Sequence, residues 1–186
     1  MLPWSHAAVG YLAYRLLLAA RERGPPAPAA AVAVAVGTQA PDLVDKPLAW
    51  GLGVLPTGRS LGHSLLVAAV VVAAASRIRA VRDRPAVAGG FAIGYLSHPL
   101  ADAAEPVLEG TPGVASFLLW PALPLRFDDE DFSILEVLLS VEPTAEVLLG
   151  LGLTVVAAAI WVRDGAPGTE LLVRAVRAGG RERAER

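Results

Sequence analysis

A polar stretch between two apolar segments constrains the fold of this chain more than any other feature. Residues 37–64 contain five ionisable side chains, namely Asp42, Asp45, Lys46, Arg59 and His63. Apolar chains rarely place so many ionisable groups between buried elements without a use for them, because each group costs free energy when it leaves water. We therefore expect these side chains to belong to a functional site that the apolar segments enclose.

The composition is typical of an integral membrane protein. Hydrophobic residues make up 54% of the 186 residues, and the mean hydropathy of +0.52 is high for a soluble domain. The formal net charge of -2 argues against a nucleic-acid-binding face, which would have to be basic. The absence of Cys excludes disulfides, thiolate metal ligands and Cys nucleophiles. The first positive charge, Arg15, lies inside the first apolar run, so we expect no signal peptide.

The apolar pattern predicts an all-α, membrane-embedded helical bundle of about four to six helices with a short re-entrant or interfacial segment. Helices are predicted over residues 4–20, 29–40, 61–75, 87–105 and 145–162. We expect Ser5 to cap the first helix and Pro41 to end the second. The glycines of the fourth helix, Gly89, Gly90 and Gly94, should let it approach its neighbours closely. The helix over residues 145–162 is the best candidate for a membrane span.

Two further segments complete the predicted organisation. Residues 113–125 are apolar but too short to span a membrane, and prolines interrupt them, which is typical of a re-entrant or interfacial segment. Residues 170–186 combine apolar residues at helical spacing with arginines, which predicts a basic helix on an anionic membrane surface. We therefore divide the chain into a membrane-embedded helical metal-site domain, residues 1–163, and a basic cytoplasmic amphipathic tail, residues 164–186.

The distribution of arginines predicts a multi-pass orientation in the cell membrane. Arg21 and Arg23, the cluster within residues 77–84, and Arg163 with the tail should be cytoplasmic, because cytoplasmic loops are enriched in Lys and Arg. The acidic loop, residues 126–131, should then face outward. This topology places all three histidines toward the extracytoplasmic face.

Histidines and aspartates make up the candidate metal site. His98 and Asp102 are spaced i,i+4 and should project from one helix face. His6 begins the first predicted helix, Asp42 follows the second, and His63 opens the third. Imidazole nitrogens and carboxylate oxygens bind Zn²⁺ at about 2.0–2.2 Å, and Mn²⁺ or Fe²⁺ suit the same donors. This set predicts a divalent metal, zinc first, with room for a two-metal centre that lowers the pKa of bound water toward ~7.

Asp45 and Arg59 are the candidate catalytic residues beside these ligands. Arg59 stands four residues before His63 and could steady an anionic group such as a phosphate. Asp45 is either a further ligand or a carboxylate that supports the ligands. The alternatives are that Asp45 forms only a salt bridge with Lys46 and that Arg59 anchors the chain at the membrane interface.

Two functions fit these residues. The first is a membrane-bound hydrolase, in which metal-activated water attacks a phosphoester or acyl bond of a lipid-accessible substrate. The second is a non-enzymatic integral membrane protein, in which the His/Asp cluster is a structural metal site or a polar packing network. A single His in a membrane helix is more often a packing residue, but three histidines at one end, each near an Asp, favour a metal. A transporter is disfavoured because the acidic groups cluster at one end and not along a path near the midplane.

The chain resembles the YdjM-like family of membrane-bound metal-dependent hydrolases. The resemblance covers roughly the first 105 residues and rests on His6, the Ala40-Pro41-Asp42 turn followed by Asp45, Arg59 with Gly62-His63-Ser64, and Gly94-Tyr95-Leu96-Ser97-His98 continuing to Asp102. That family is itself similar in motif layout to zinc-dependent phospholipases C, whose ligands come from several helices of a bundle. The resemblance implies that the metal ligands are His6, Asp42, His63, His98 and Asp102. The chain departs from the family pattern in two places: Gly58 stands where a His often precedes the Arg, and the Pro-Asp-x-Asp turn has one extra residue.

Overall fold

The computed structural model describes residues 2–75, 77–126 and 143–171, together with residues 173, 174 and 177. The elements in this part of the chain are helical, and it contains no strand. The α-helices are α1 (Pro3–Ala20), α2 (Pro28–Lys46), α3 (Leu65–Ala75), α4 (Arg79–Arg82), α5 (Pro85–Leu108) and α6 (Ala145–Arg163). A π-helical turn (Pro47–Gly51) extends α2, and a 3₁₀ helix (Pro112–Leu119) follows α5. The prediction of an all-α fold is confirmed for the described residues.

The contact between α2 and α5 is the centre of the fold, and glycines make it close. A Cβ atom on Gly94 would lie 2.3 Å from the Val34 carbonyl oxygen, and one on Gly37 would lie 2.4 Å from the Phe91 carbonyl oxygen. The two backbones therefore pack with only hydrogen atoms between them at these positions. The predicted role of small residues is confirmed for Gly90 and Gly94. It is wrong for Gly89, where an added Cβ atom would meet no atom of another described element within 4 Å.

Helix α1 packs on this pair and also on α6. Tyr14 forms a small buried core with Ala30 and Val34 of α2. The phenol of Tyr11 and the Nε of Arg15 each donate to Oδ2 of Asp164, which lies just beyond the end of α6. Hydrogen-bonded ion pairs that are shielded from water hold their partners firmly, so this cluster fixes α1 against α6.

The first and third predicted helices begin at other residues than expected. The expectation that Ser5 caps α1 is wrong, because Leu2 occupies the cap position and Pro3 begins the helix. Proline suits the first helical position, where its missing N–H would have had no partner. The expectation that His63 opens the third helix is also wrong. Helix α3 begins at Leu65, and the Ser64 hydroxyl accepts a hydrogen bond from the Val67 N–H as its cap.

The predicted end of the second helix at Pro41 is wrong as well. Helix α2 continues through Pro41 to Lys46, so Asp42 and Asp45 lie on its last turn and not on a loop. A proline inside a helix removes one backbone hydrogen bond. Pro41 is fully buried, and Gly62 lies directly against its backbone. This packing offsets the lost bond and lets the helix carry the two carboxylates to the centre of the fold.

One helix of the described chain, α6, is long and apolar enough to cross a membrane, and 11% of its most apolar window is buried. Helix α3 is apolar but has only 11 residues. Helices α2 and α5 carry ionisable residues in the turns that form the site. The membrane-embedded, multi-pass bundle therefore stays a prediction. The predicted acidic loop, apart from Arg126, and most of the predicted tail lie outside the described residues.

Candidate metal centre

Three helices and one loop bring the predicted ligands together. His6 comes from the first turn of α1, Asp42 from the end of α2, His63 from the loop before α3, and His98 and Asp102 from α5. The three imidazoles are buried, as is Asp102, and Asp42 is the most exposed of the five, at 14%. The expectation that His98 and Asp102 share one helix face is confirmed, because His98 Nε2 and Asp102 Oδ2 lie 3.7 Å apart.

Asp45 shapes the loop that carries His63. Its Oδ1 accepts the Gly62 N–H at 2.7 Å, and its Oδ2 accepts the Ser60 N–H at 2.8 Å. The same Oδ2 accepts the Nδ1–H of His63 at 2.8 Å. Asp45 is fully buried, so these donors replace the water that an ionised carboxylate requires. Asp45 does not pair with Lys46, which instead donates to Asp42 Oδ2 at 2.6 Å.

His98 is oriented by a backbone carbonyl. Its Nδ1 lies 2.6 Å from the carbonyl oxygen of Thr38 on α2. A carbonyl oxygen only accepts hydrogen bonds, so Nδ1 carries the proton and Nε2 of the neutral ring carries a lone pair. The Asp45 carboxylate imposes the same tautomer on His63. Second partners of this kind are the usual way in which proteins orient metal-binding histidines.

The two oriented imidazoles present their lone pairs to each other. His63 Nε2 and His98 Nε2 are 3.1 Å apart, and neither ring has a proton to offer there when it is neutral. Asp42 and Asp102 add negatively charged oxygens on the same side. Such an arrangement is repulsive unless a proton or a cation lies among the four groups. The donor set therefore fits a bound cation.

The separations between the imidazole nitrogens and the carboxylate oxygens are close to those around a tetrahedral ion. Bonds of about 2.0–2.2 Å to a tetrahedral ion place the ligand atoms about 3.3–3.6 Å from one another. His63 Nε2 lies 3.6 Å from both Asp42 Oδ1 and Asp102 Oδ2. His98 Nε2 lies 3.5 Å and 3.7 Å from the same two oxygens. With the 3.1 Å between the nitrogens, these five separations lie within about 0.2 Å of that range.

His6 belongs to a second, overlapping group of donors. Its Nε2 lies 3.3 Å from Asp102 Oδ1, and its ring stacks on that of His98 with the centroids 3.7 Å apart. Asp102 thus turns one oxygen toward each group. The buried Nδ1 of His6 has no hydrogen-bond partner among the described residues. An unpaired buried nitrogen destabilises the fold, which is expected where a residue is kept for its chemistry.

The electrostatics of the pocket favour a cation. Burial lowers the pKa of the His63 imidazole, whereas the carboxylates of Asp102 and Asp45 raise it. The raising effects together are larger, so the pKa of His63 lies above its ordinary value. The neighbours of His63 therefore stabilise positive charge. A divalent ion would benefit from the same carboxylates.

Arg59 lies at the edge of the cluster. Its Nε is 3.4 Å from Asp102 Oδ2, and its side chain is 36% exposed, whereas the three imidazoles and Asp102 are buried. The Thr57 hydroxyl accepts the backbone N–H of Arg59 and so holds this part of the loop. The guanidinium is partly engaged by Asp102 and partly open to the outside.

Several residues around the site carry no pattern that marks them in the sequence. Phe117 of the 3₁₀ helix is fully buried, and its ring meets the His63 ring edge-on at 6.0 Å. The predicted re-entrant or interfacial segment thus folds over the site. The Tyr95 hydroxyl donates to the Gly62 carbonyl oxygen. Thr38 lies one helical turn before Asp42. Its place near the site therefore follows from spacing alone if the second helix is continued through Pro41.

Comparison with known proteins identifies the family. The family model described as YdjM inner membrane protein matches residues 1–176. No curated protein and no solved structure matches the chain. The family description agrees with the predicted location in a cell membrane. Since the match covers nearly the whole chain, the chain belongs to the YdjM inner membrane protein family.

Proposed function

We propose that this protein is a membrane-bound, metal-dependent hydrolase that acts on a phosphoester of a lipid-accessible substrate. The observation that carries the proposal is the convergence of two oriented imidazole lone pairs and two carboxylates, with the nitrogens 3.1 Å apart and each 3.5–3.7 Å from the carboxylate oxygens. His63, His98, Asp42 and Asp102 would hold the first ion, with zinc favoured and Mn²⁺ or Fe²⁺ as alternatives.

His6 supports a second ion position. Two stacked imidazoles direct their in-plane lone pairs to neighbouring points and not to a single one. The 3.7 Å between the His6 and His98 rings is close to the ~3.5–4 Å that separates the ions of two-metal sites. Asp102 would contribute to holding both ions, because its Oδ1 lies near His6 Nε2 and its Oδ2 lies near the imidazole nitrogens of His63 and His98.

Different residues of the chain would have different roles in hydrolysis. Bound ions of this type supply Lewis acidity and make water a stronger nucleophile at neutral pH. Thr38 and Asp45 keep His98 and His63 in the required tautomer. Phe117 keeps bulk water from one side of His63. Arg59, beside Asp102, would bind the anionic oxygens of a phosphoester and balance the charge that develops during attack.

A non-enzymatic role is the second candidate, and the burial of the donors favours it. Structural zinc sites have four protein ligands and no open position, and the three imidazoles here are buried. In that case the cluster would only hold α1, α2 and α5 together. The two candidates agree on metal binding and differ on turnover.

Elemental analysis and an activity assay on the same detergent-purified protein separate these candidates. A hydrolase should contain zinc, manganese or iron and release p-nitrophenol from a p-nitrophenyl phosphodiester or monoester, with loss of activity on chelation and recovery on metal return. Protein that contains metal but hydrolyses neither phosphoesters nor carboxylic esters would support the structural role. Protein that purifies without metal and takes up none would overturn both metal-binding candidates and would leave a polar packing network.

Replacing Arg59 by Met is expected to lower kcat/KM for the phosphoester by about 10- to 100-fold, since hydrogen bonds to charged groups contribute about 1.5–3 kcal/mol. Arg59→Lys should recover part of the loss. Metal content should stay within about twofold, because Arg59 lies beside a ligand and is not one. Arg126→Met, at an exposed arginine outside the cluster, is the matched control and should keep full activity. Equal losses on a neutral p-nitrophenyl ester would contradict the anion-binding role.

We also propose that the site faces the extracytoplasmic side, that residues 1–163 form the metal-site domain, and that residues 164–186 form a cytoplasmic tail. The chain has no native Cys, so single cysteines report orientation cleanly. A cysteine at Asp83 should react with a membrane-impermeant maleimide only after the cells are permeabilised. A cysteine at Glu109, just beyond the other end of α5, should react in intact cells. The reverse pattern would refute the orientation.

A further inference from the structure

An apolar groove of about 680 Å³ lies away from the metal centre, between α2, α3, α4 and α5. Its walls are Ala and Val side chains, with Phe91 on α5 and a single charged residue, Arg84, just before α5 begins. Phe91 lies seven positions after Arg84, which corresponds to about 10 Å along a helix. The groove is therefore a short apolar channel with a guanidinium at one end.

An apolar groove of this size needs an apolar occupant. Water molecules in such a groove would find too few hydrogen-bond partners on the apolar walls. An empty groove would leave the lining side chains without van der Waals contacts on one side. Val36, Val71 and Val72 on the walls are about half exposed. In an inner membrane protein the apolar material at hand is the acyl chain of a lipid.

The charged end of the groove selects the head group. Residues 77–84 contain four arginines and one aspartate. Arg79 pairs with Asp83, whereas no carboxylate of the described residues pairs with Arg84. The amino terminus of α5 lies at the same end and adds its positive dipole. This end is therefore complementary to a phosphate.

We propose that this groove is a binding site for one anionic phospholipid, with an acyl chain along α5 and its phosphate on Arg84. The proposal depends on the membrane location of the family and not on hydrolysis at the metal centre. Arg84 and His98 are fourteen residues apart on or next to α5, about 20 Å along the helix. Changes at the groove should therefore leave the metal content unaltered.

Native mass spectrometry of the full-length protein in mild detergent tests the proposal. Phosphatidylglycerol should bind as one molecule per chain and more tightly than phosphatidylcholine with the same acyl chains. Arg84→Gln should weaken phosphatidylglycerol binding by at least about tenfold. Arg79→Gln removes the same charge from an exposed, paired residue and should weaken it by less than about fivefold. Equal losses of phosphatidylglycerol binding in Arg84→Gln and Arg79→Gln would show that the arginine cluster attracts the anionic head group without a specific site. That result would overturn the proposal.

Two further measurements test the acyl-chain half of the site. Ala88→Leu adds bulk on the wall and should weaken the binding of both lipids, with helicity and metal content retained. Glycerol phosphate, which has the head group and no chain, should compete poorly. Unchanged lipid binding in Ala88→Leu, or full competition by glycerol phosphate, would refute occupancy by an acyl chain. A dimer of the native protein that dissociates in Ala88→Leu would show that a second copy fills the groove instead.

Discussion

Replacing His98 by Ala is expected to abolish metal binding, with less than about a tenth of the native metal content remaining. His98 supplies one of the two nitrogen donors of the first proposed ion position, and its ring packs on the His6 ring of the second, so its loss disturbs both positions. The measurement is elemental analysis of variants that keep the helicity of the native protein in detergent. Exogenous imidazole should restore part of the metal, because the substitution leaves a buried space of the shape of the lost ring.

Two comparison variants make the His98 result specific. Asp45→Asn keeps the shape of a side chain that lies behind His63, and it should weaken metal binding by about 10- to 100-fold without abolishing it. Ser97→Ala changes the neighbouring residue of α5, whose hydroxyl donates only to the Gly94 carbonyl oxygen, and it should keep the full metal content. If His98→Ala retained all of its metal and activity, the hydrolase proposal would give way to a polar packing network.

The part of the site that depends on local geometry could be predicted from the sequence. His98 and Asp102 are one helical turn apart, so their proximity needs only the helix and no tertiary contact. The approach of Gly90 and Gly94 to α2 also follows from residue size. His6 was expected at the same end of the bundle, and the structure stacks its ring on that of His98.

The other parts of the fold and of the site depend on tertiary packing, which helix periodicity and residue spacing do not describe. Pro41 is expected to end a helix, but the buried contact with Gly62 keeps it inside α2. This one difference moves Asp45 from a loop onto a helix. Its carboxylate then binds three backbone N–H groups of the His63 loop, which is why His63 is not part of a helix. Phe117 reaches the site through a segment whose position no spacing rule determines.

The positions of the two catalytic candidates, Asp45 and Arg59, favour different roles. Both oxygens of Asp45 are occupied by backbone and imidazole donors, and the residue is fully buried. Asp45 would therefore position His63 and would not touch substrate. Arg59 remains the candidate for substrate contact, because its side chain is 36% exposed, whereas Lys46 beside Asp42 is 27% exposed and already donates to that carboxylate.

Replacing Gly94 by Ala is expected to destabilise the fold by at least about 3 kcal/mol, the upper part of the range for overpacking, because the added Cβ would lie 2.3 Å from a backbone oxygen of α2. A flexible side chain could move aside, but the backbone of Val34 cannot move without displacing α2. Thermal unfolding in detergent, followed by circular dichroism, measures the loss. Gly89→Ala is the matched control on the same helix, where the added Cβ would meet no atom of another described element within 4 Å. It should be neutral or stabilising by up to about 1 kcal/mol, since Ala favours helix more than Gly.

The same substitution should also weaken metal binding, although Gly94 touches no ligand. Gly94 lies one turn before His98 on α5, and Val34 lies one turn before Thr38 on α2. Separating the helices at Gly94 would therefore lengthen the 2.6 Å hydrogen bond that orients His98. Loss of such an orienting partner typically costs about 10- to 100-fold in metal affinity. A Gly94→Ala protein with native stability and native metal affinity would show that the close contact of α2 and α5 does not position the site.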